Sequence, residues 1–227
     1  MNILGHLFPT PPKVRVARVA QITDSHCGPA VVQLLFSHLD RQVTQDEVVT
    51  AARVRSRLEA HGTRPDHLAR AVAKLAPDLQ FWFKQHATIH DLEVLIDQHH
   101  YPVAVNWQGL FYDTEEEQER ENPGGDHGHY SAAIDIDVEK DKITLADPYS
   151  EYAHKPRVFS LKWFQKRWWD VDHDVIRVSK SHQRRNSIKT KRLIFIVTPK
   201  DADFPLELGM KPGNEINMSQ FNPGAAR

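Results

Sequence analysis

The sequence predicts an α+β fold in which N-terminal helices pack on an antiparallel sheet. Apolar residues with helical spacing fill the first part of the chain, and short runs of β-forming residues dominate from Leu79 onward. Helices and strands that are segregated along a chain, rather than strictly alternating, are typical of this class. With 227 residues, of which 40% are hydrophobic and 26% charged, the chain is long enough for one large domain with appendages.

Three helices are expected before the first strand. The first spans about Gly28–Leu39 and carries a continuous apolar run. The second follows the segment Thr44–Glu47, which has the pattern of a capping box, and we expect it to continue to about Leu58. The third spans Pro65–Leu75, because proline suits the first turn of a helix.

The rest of the chain is expected to be mostly strands. The expected elements are a strand at 79–84, a helix from 88, strands at 101–107, 129–137 and 142–147, a capped helix at 160–169 and a strand at 192–198. Only a Glu-Lys-Asp turn separates 129–137 from 142–147, so these two runs predict a β-hairpin. Residues 113–128 are acidic and contain glycine, and we expect a long loop that is either functional or simply solvated.

Composition shifts divide the chain into three parts. Residues 1–20 contain Pro9, Pro11 and Pro12 and predict an extended arm. Residues 21–200 form the main domain, and 201–227, rich in Gly, Pro and Asn, predict an irregular tail.

Charge and cysteine content exclude several classes of protein. The net charge of -1 disfavours binding to nucleic acid or to anionic membranes. No apolar run approaches the length of about 20 residues that spans a bilayer, and no signal-peptide pattern opens the chain. A single cysteine excludes an intrachain disulfide and a four-cysteine zinc site. We expect a soluble cytoplasmic protein without a cofactor.

That single cysteine, Cys27, lies at the N-terminus of the first predicted helix, directly before Gly28. Unpaired backbone N–H groups and the helix dipole favour the thiolate there, which is the nucleophilic form of the side chain. Gln21, six residues earlier, offers a side-chain N–H to an oxyanion formed near the sulfur. Cys27 is therefore a candidate nucleophile, although a lone cysteine is commonly a small buried apolar residue and Gln21 has an alternative role in a turn.

A histidine and an acid lie at the open end of the predicted hairpin. His129 begins its first strand and Asp147 ends its second, so the pairing predicts that the two side chains meet. The acid would orient the imidazole and the other ring nitrogen would face the thiol, as in a nucleophile, base and acid triad. Asp172 and Asp174, expected in a later loop, are alternative acids.

These motifs resemble the papain-like cysteine peptidases that process bacteriocin (double-glycine) leaders, and the stand-alone relatives of those enzymes. The resemblance rests on Gln21 before Cys27-Gly-Pro-Ala, on His129-Tyr and on Asp147-Pro, and it covers about residues 14–150. It implies a papain-like fold and a peptide or protein substrate. It also implies that Cys27 is the nucleophile, His129 the base, Asp147 the orienting acid and Gln21 the oxyanion donor.

The sequence leaves other functions open. The same triad supports acyl transfer to an amine instead of hydrolysis, and the fold could serve as a binding module without turnover. A metal enzyme using Asp126, His127 and His129 is a third, weaker interpretation. The tryptophans of 163–169 are expected in the core, and the basic run from Lys180 in a solvated loop.

Overall fold

A computed structural model describes residues 13–177 and 183–218, except for the side chains of 172–186. The helices are α1 (Cys27–His38), α2 (Gln45–Ala52), α3 (Leu58–His61), α4 (Pro65–Leu75), α5 (Ile89–Glu93, continued by a π-helix over Val94–Gln98), α6 (Glu115–Glu121), α7 (Leu161–Arg167) and α8 (Phe204–Glu207). The strands are β1 (Leu79–Lys84), β2 (Val103–Gln108), β3 (Gly128–Asp137), β4 (Lys142–Ala146), β5 (Arg157–Ser160), β6 (Trp169–Arg177), β7 (Gln183–Lys191), β8 (Leu193–Pro199) and β9 (Lys211–Pro212).

The predicted α+β class is confirmed. Seven strands form a sheet in the order β5-β4-β3-β2-β8-β1-β9, in which every described pairing is antiparallel. Strands β6 and β7 form a separate antiparallel ribbon that contacts β2 and β3. Helix α1 packs on β3, and α2 and α4 pack on each other beside it. No described helix is long and apolar enough to cross a membrane.

The buried face of α1 fixes its place on the sheet. Ala30, Val31, Leu34 and Leu35 are at most 1% exposed and belong to one apolar core with the central strands. Burial of apolar surface of this kind is the main stabilising term of a fold. Because α1 is anchored along its length, its first residue, Cys27, is held against the sheet.

The N-terminal boundaries of several helices agree with their sequence signals. Thr44 accepts a hydrogen bond from the backbone N–H of Glu47 while the Glu47 carboxylate accepts one from Thr44, so the predicted capping box is present. Helix α4 begins at Pro65 as expected, and Ser160 caps α7.

The second helix, however, is shorter than expected, and the extension to Leu58 is wrong. Helix α2 ends at Ala52 because Arg53 adopts a left-handed conformation with φ 59°, and Leu58 instead begins the separate helix α3. Left-handed backbone in a non-glycine residue has no clear sequence signal, since arginine is ordinarily a good helix former.

The acidic segment 113–128 is not simply a long loop, because it contains helix α6. Thr114 caps this helix by accepting a hydrogen bond from the N–H of Glu117. Glu115, Glu116 and Glu117 fill the first turn, where negative charge interacts favourably with the helix dipole. The polar composition of the segment favoured a loop, although Thr114 followed by three glutamates is also the pattern of a helix N-terminus.

Two other segments also carry more regular structure than expected. Residues 169–177 and 183–191 form the β6–β7 ribbon in place of loops, while 178–182, which include Lys180, lie outside the described residues. Residues 204–215, for which we expected irregular structure, include α8 and the short strand β9 paired with β1. Of the predicted arm, 13–20 is described, and the N–H of Val14 donates to the carbonyl of Ile134 on β3.

Candidate active site

Cys27 is the first residue of α1, as the sequence predicts, and its side chain is partly exposed. A tight turn leads into it: the N–H of His26 donates to the carbonyl of Thr23, and Nδ1 of His26 lies 2.6 Å from Oγ1 of Thr23. No side chain caps the helix. The thiol therefore lies at a helix N-terminus that follows a hydrogen-bonded turn, and Cys27 lines a cavity.

His129 and Asp147 are joined by a hydrogen bond of 2.7 Å between Nε2 and Oδ1. Both residues are buried, at 2% and 3% exposure. The contact between these two predicted site residues lies where the hairpin opens, at the start of β3 and just after β4.

The Cys27 thiol interacts with the His129 imidazole, and this interaction helps to raise the imidazole pKa. Since Nε2 is used by Asp147, Nδ1 is the ring nitrogen that remains available to the sulfur. The three residues thus form one connected chain of thiol, imidazole and carboxylate, with the imidazole between the other two.

The electrostatics of this chain favour a charged pair. Burial by itself lowers the pKa of His129, but the charge and hydrogen bond of Asp147, together with the contact to Cys27, raise it to about 10. Burial likewise opposes ionisation of Asp147, yet His129, the N–H of Tyr149 and Arg157 hold the pKa of that carboxyl below its usual value. An imidazolium beside the sulfur stabilises negative charge on it.

Arg157 is a site residue that the sequence analysis missed. Its Nη1 donates to Oδ2 of Asp147 at 2.9 Å and to the carbonyl of Leu110 at 2.8 Å. The guanidinium also lies 3.8 Å from the ring centroid of Tyr152, a cation–π contact. Arg157 begins β5, and a lone arginine at a strand end gives no signal of this role in the sequence.

Gln21 lies beside the same site. Its backbone N–H donates to the carbonyl of Pro148, directly after Asp147. Its side chain is buried, and Nε2 donates to the carbonyl of Thr23 in the turn before Cys27. This leaves the second N–H of the amide for another acceptor.

Two aromatic side chains, Phe111 and Trp107, pack beside the His129 imidazole. Phe111 packs edge-on against His129 with ring centroids 5.1 Å apart, and Trp107 lies 6.3 Å away on the neighbouring strand. Gln118 of α6 accepts from the N–H of Phe111 and donates to the carbonyl of Gly109. The acidic segment therefore supports the loop over His129.

A cavity of about 350 Å³ opens beside Cys27. It is bordered by the turn before α1, by the segment around Gly62, by Gly128 at the start of β3, and by Asp170 and Val171 at the start of β6. A larger cavity of about 930 Å³ lies between α6 and α7. Asp170 is a second residue that sequence reasoning missed, because its segment was expected to be a loop.

The contacts of the described residues argue against a metal site formed by Asp126, His127 and His129. Among the described residues, no group of three or more His, Cys, Asp or Glu side chains could hold a metal ion. Asp126 accepts a hydrogen bond from Gln108, and Nε2 of His129 is bonded to Asp147. The side chains of Asp172 and Asp174 lie outside the described residues. Trp168 is buried and Trp163 packs against the core, as expected, whereas Trp169 is only partly buried and lines the larger cavity.

Two solved structures with a similar fold are a peptidase domain and a protease. The peptidase domain of Streptococcus ComA, a bifunctional ABC transporter involved in a quorum sensing pathway, is 15% identical over 80% of this chain and 97% of its own, with a TM-score of 0.51. A double glycine motif protease from an AMS/PCAT transporter, solved in complex with the leader peptide, is 11% identical over 84% of this chain and 96% of its own, with a TM-score of 0.50. The fold is therefore that of the papain-like cysteine peptidases.

Residues 13–174 match the family model described as the Peptidase_C39 like family, and the chain belongs to that family. The resemblance stated from Cys27, His129 and Asp147 is thereby confirmed at the level of family and fold. No curated protein matches the chain at a significant level.

Proposed function

We propose that this protein is a thiol hydrolase, a peptidase or amidase, that acts through an acyl-enzyme on Cys27. The observation that carries the proposal is the position of His129, whose Nε2 is bonded to Asp147 and whose imidazole also interacts with the Cys27 thiol. A base placed between a nucleophile and an orienting acid is the arrangement that nucleophilic catalysis requires.

In the proposed reaction, Nδ1 of His129 holds the proton of the thiol and the sulfur attacks the carbonyl carbon of the scissile amide. The second N–H of Gln21 and the backbone N–H groups at the start of α1 donate to the resulting oxyanion. His129 returns the proton to the leaving amine and a thioester remains on Cys27. Water, deprotonated by His129, then hydrolyses the thioester and restores the thiol.

Asp147 keeps Nε2 protonated and so fixes which nitrogen faces the sulfur. The raised pKa of His129 and the lowered pKa of Asp147 support this division of roles, because the acid stays ionised while the imidazole carries the proton.

We infer a peptide substrate, since one structural neighbour was solved with a leader peptide bound and a cavity of about 350 Å³ lies beside Cys27. A cytoplasmic site of action is part of the proposal, because a single free thiol is best preserved in a reducing compartment.

A peptide-profiling experiment tests the proposal. The wild type and the Cys27→Ala variant are incubated with a peptide library prepared from a proteome digest, and new peptide termini are identified by mass spectrometry. We expect new termini that share a sequence pattern with the wild type and none with the variant. Identical termini in both samples, or none with the wild type while its thiol reacts normally with iodoacetamide, would contradict hydrolase activity.

A further inference from the structure

Asp170 places a buried carboxylate on the wall of the Cys27 cavity. It is the second residue of β6 and is 6% exposed. Its Oδ1 occupies the space that a side chain at Gly128 would need, one residue before His129. The carboxylate is therefore next to the proposed catalytic machinery, but the mechanism above does not use it.

The partners of this carboxylate are neutral. Oδ2 accepts from Nδ2 of Asn106 at 2.7 Å, and Oδ1 accepts from Nε2 of Gln108 at 3.2 Å and from the N–H of Val171 at 2.8 Å. In turn, Thr190 donates to Asn106 and fixes the orientation of its amide. Each carboxylate oxygen accepts about two hydrogen bonds, so Oδ2 has capacity for another donor.

No ion pair joins Asp170 to a lysine or arginine in the part of the chain that the structure describes. A buried charge without a counter-charge is costly. Burial and the negative charge of Asp126 raise the pKa of Asp170 to about 7, although the bonds from Asn106 and Val171 and the positive charge of His129 act in the opposite direction. A cation that entered the cavity would relieve this cost.

The rest of the cavity has the same sign of charge. The ionisable residues that line it with Cys27 are the acids Asp24, Glu59, Asp126 and Asp170, together with His61 and Tyr130, and no described lysine or arginine lines it. Clefts lined by one sign of charge concentrate ligands of the opposite sign.

A second, independent feature is the hydroxyl of Thr63. Thr63 lines the cavity, is 5% exposed, and its Oγ1 has no hydrogen-bond partner among the described residues. Oγ1 lies against Gly28, the residue after Cys27. A buried polar atom without a partner at a cavity wall is a group that a bound ligand satisfies.

We propose that Asp170 is a specificity-determining residue that binds a cationic group of the substrate in the cavity beside Cys27. The group is a lysine or arginine side chain or a free amino group. A guanidinium or ammonium would donate to Oδ2 and neutralise the buried charge. This inference rests on the proposed function, because it names the substrate class of the same site.

Charged thiol reagents test the inference without any turnover. Cys27 is the only cysteine, so the mass of the intact protein reports its modification. We would measure its rate of reaction with three methanethiosulfonates: aminoethyl (cationic), methyl (neutral) and sulfonatoethyl (anionic). In each case the thiolate displaces a sulfinate and forms a mixed disulfide.

The wild type should prefer the cationic to the neutral reagent by about tenfold at low salt, since an acidic cleft raises the local cation concentration. Asp170→Asn should remove most of this preference, and added salt should reduce it in the wild type. Asp137→Asn, at a partly exposed carboxylate elsewhere on β3, is the matched control and should retain it. If Asp170→Asn does not fold, the same preference is measured in Asp126→Asn, and its salt dependence is measured in the wild type.

An equal rate with the cationic and neutral reagents in the wild type would overturn the inference, as would an unchanged preference in folded Asp170→Asn. A peptide series then locates the cation, with lysine compared with norleucine at each position and free with acetylated N-termini. Peptide turnover without any gain from lysine or a free amine contradicts the inference but not the proposed function. Cationic selectivity of the thiol without turnover contradicts only the proposed function.

Discussion

His129 and Asp147 meet diagonally across the mouth of the hairpin and not as a directly opposed pair. The last described pair of this register is Ala132 with Ala146, so its continuation places Asp147 opposite Ser131, two residues from His129 on the same face. Diagonal neighbours are within reach of long side chains. The 2.7 Å hydrogen bond between His129 and Asp147 therefore depends on the position of the residues that follow β4. The hydrogen bond from the Gln21 N–H to the Pro148 carbonyl helps to fix that position.

Asp147→Asn should nearly abolish turnover. The amide can donate to His129 and so favours the wrong tautomer, and the loss for the equivalent change in a serine protease triad is about 10⁴. Peptide turnover and thermal unfolding would be measured together with Asp137→Asn as the control on the same hairpin. Near-normal activity in Asp147→Asn, with activity lost on substitution of Asp172 or Asp174, would show that the acid has been assigned wrongly.

Arg157→Met should destabilise the protein and slow catalysis. Removing the guanidinium leaves the buried Asp147 carboxylate without one of its donors, and breaking a buried ion pair costs about 3 kcal/mol or more. The free energy of unfolding from urea titration measures the effect. Lys155→Met, an exposed cation two residues earlier, should change neither stability nor turnover by a comparable amount. Equal effects of the two substitutions would exclude this role for Arg157.

Stability should fall as the pH rises above neutrality, through the deprotonation of His129. The folded protein holds the imidazole pKa at about 10, against an ordinary value of 6.5. Since the folded state binds this proton more tightly than the unfolded state, its contribution is complete below pH 6.5 and is lost as the pH approaches 10. Thermal unfolding between pH 6 and about 10 should therefore decline more steeply for the wild type than for His129→Asn. An equal decline of the unfolding temperature with pH in the wild type and in His129→Asn would contradict the ion pair between His129 and Asp147.

Gln21→Ala should lower turnover by about 10²–10³, the cost of removing one oxyanion donor. Because the donor acts on charge that develops during the reaction, alkylation of Cys27 by iodoacetamide should be nearly unchanged. Comparing the two rates in one preparation separates these effects. Turnover equal to that of the wild type would mean that Gln21 serves only the turn, through its bond to Thr23.

Local signals in the sequence predicted much of the framework. The capping box at Thr44, the proline at the start of α4 and the apolar run of α1 each act within a few residues, so they could be identified without tertiary information. The proximity of His129 and Asp147 could also be inferred, because two strands joined by a short turn must pair.

Features that depend on distant contacts could not be predicted. Arg157 reaches Asp147 only because β5 lies beside β4, and Asp170 reaches the cavity only because the β6–β7 ribbon packs against β2 and β3. The end of α2 at Arg53 depends on a left-handed backbone conformation that arginine does not favour intrinsically. In each case tertiary packing, not local propensity, decides the outcome.

The central claim, that His129 activates the Cys27 thiol, is tested most directly by the rate of alkylation with iodoacetamide at pH 6. A protonated imidazole beside the sulfur should keep the thiol reactive at this pH, where an ordinary thiol, which ionises near about 8.5, is almost inert. The account predicts rapid alkylation of the wild type and a rate at least about tenfold lower in folded His129→Asn. Equal rates in the two proteins at pH 6 would contradict it.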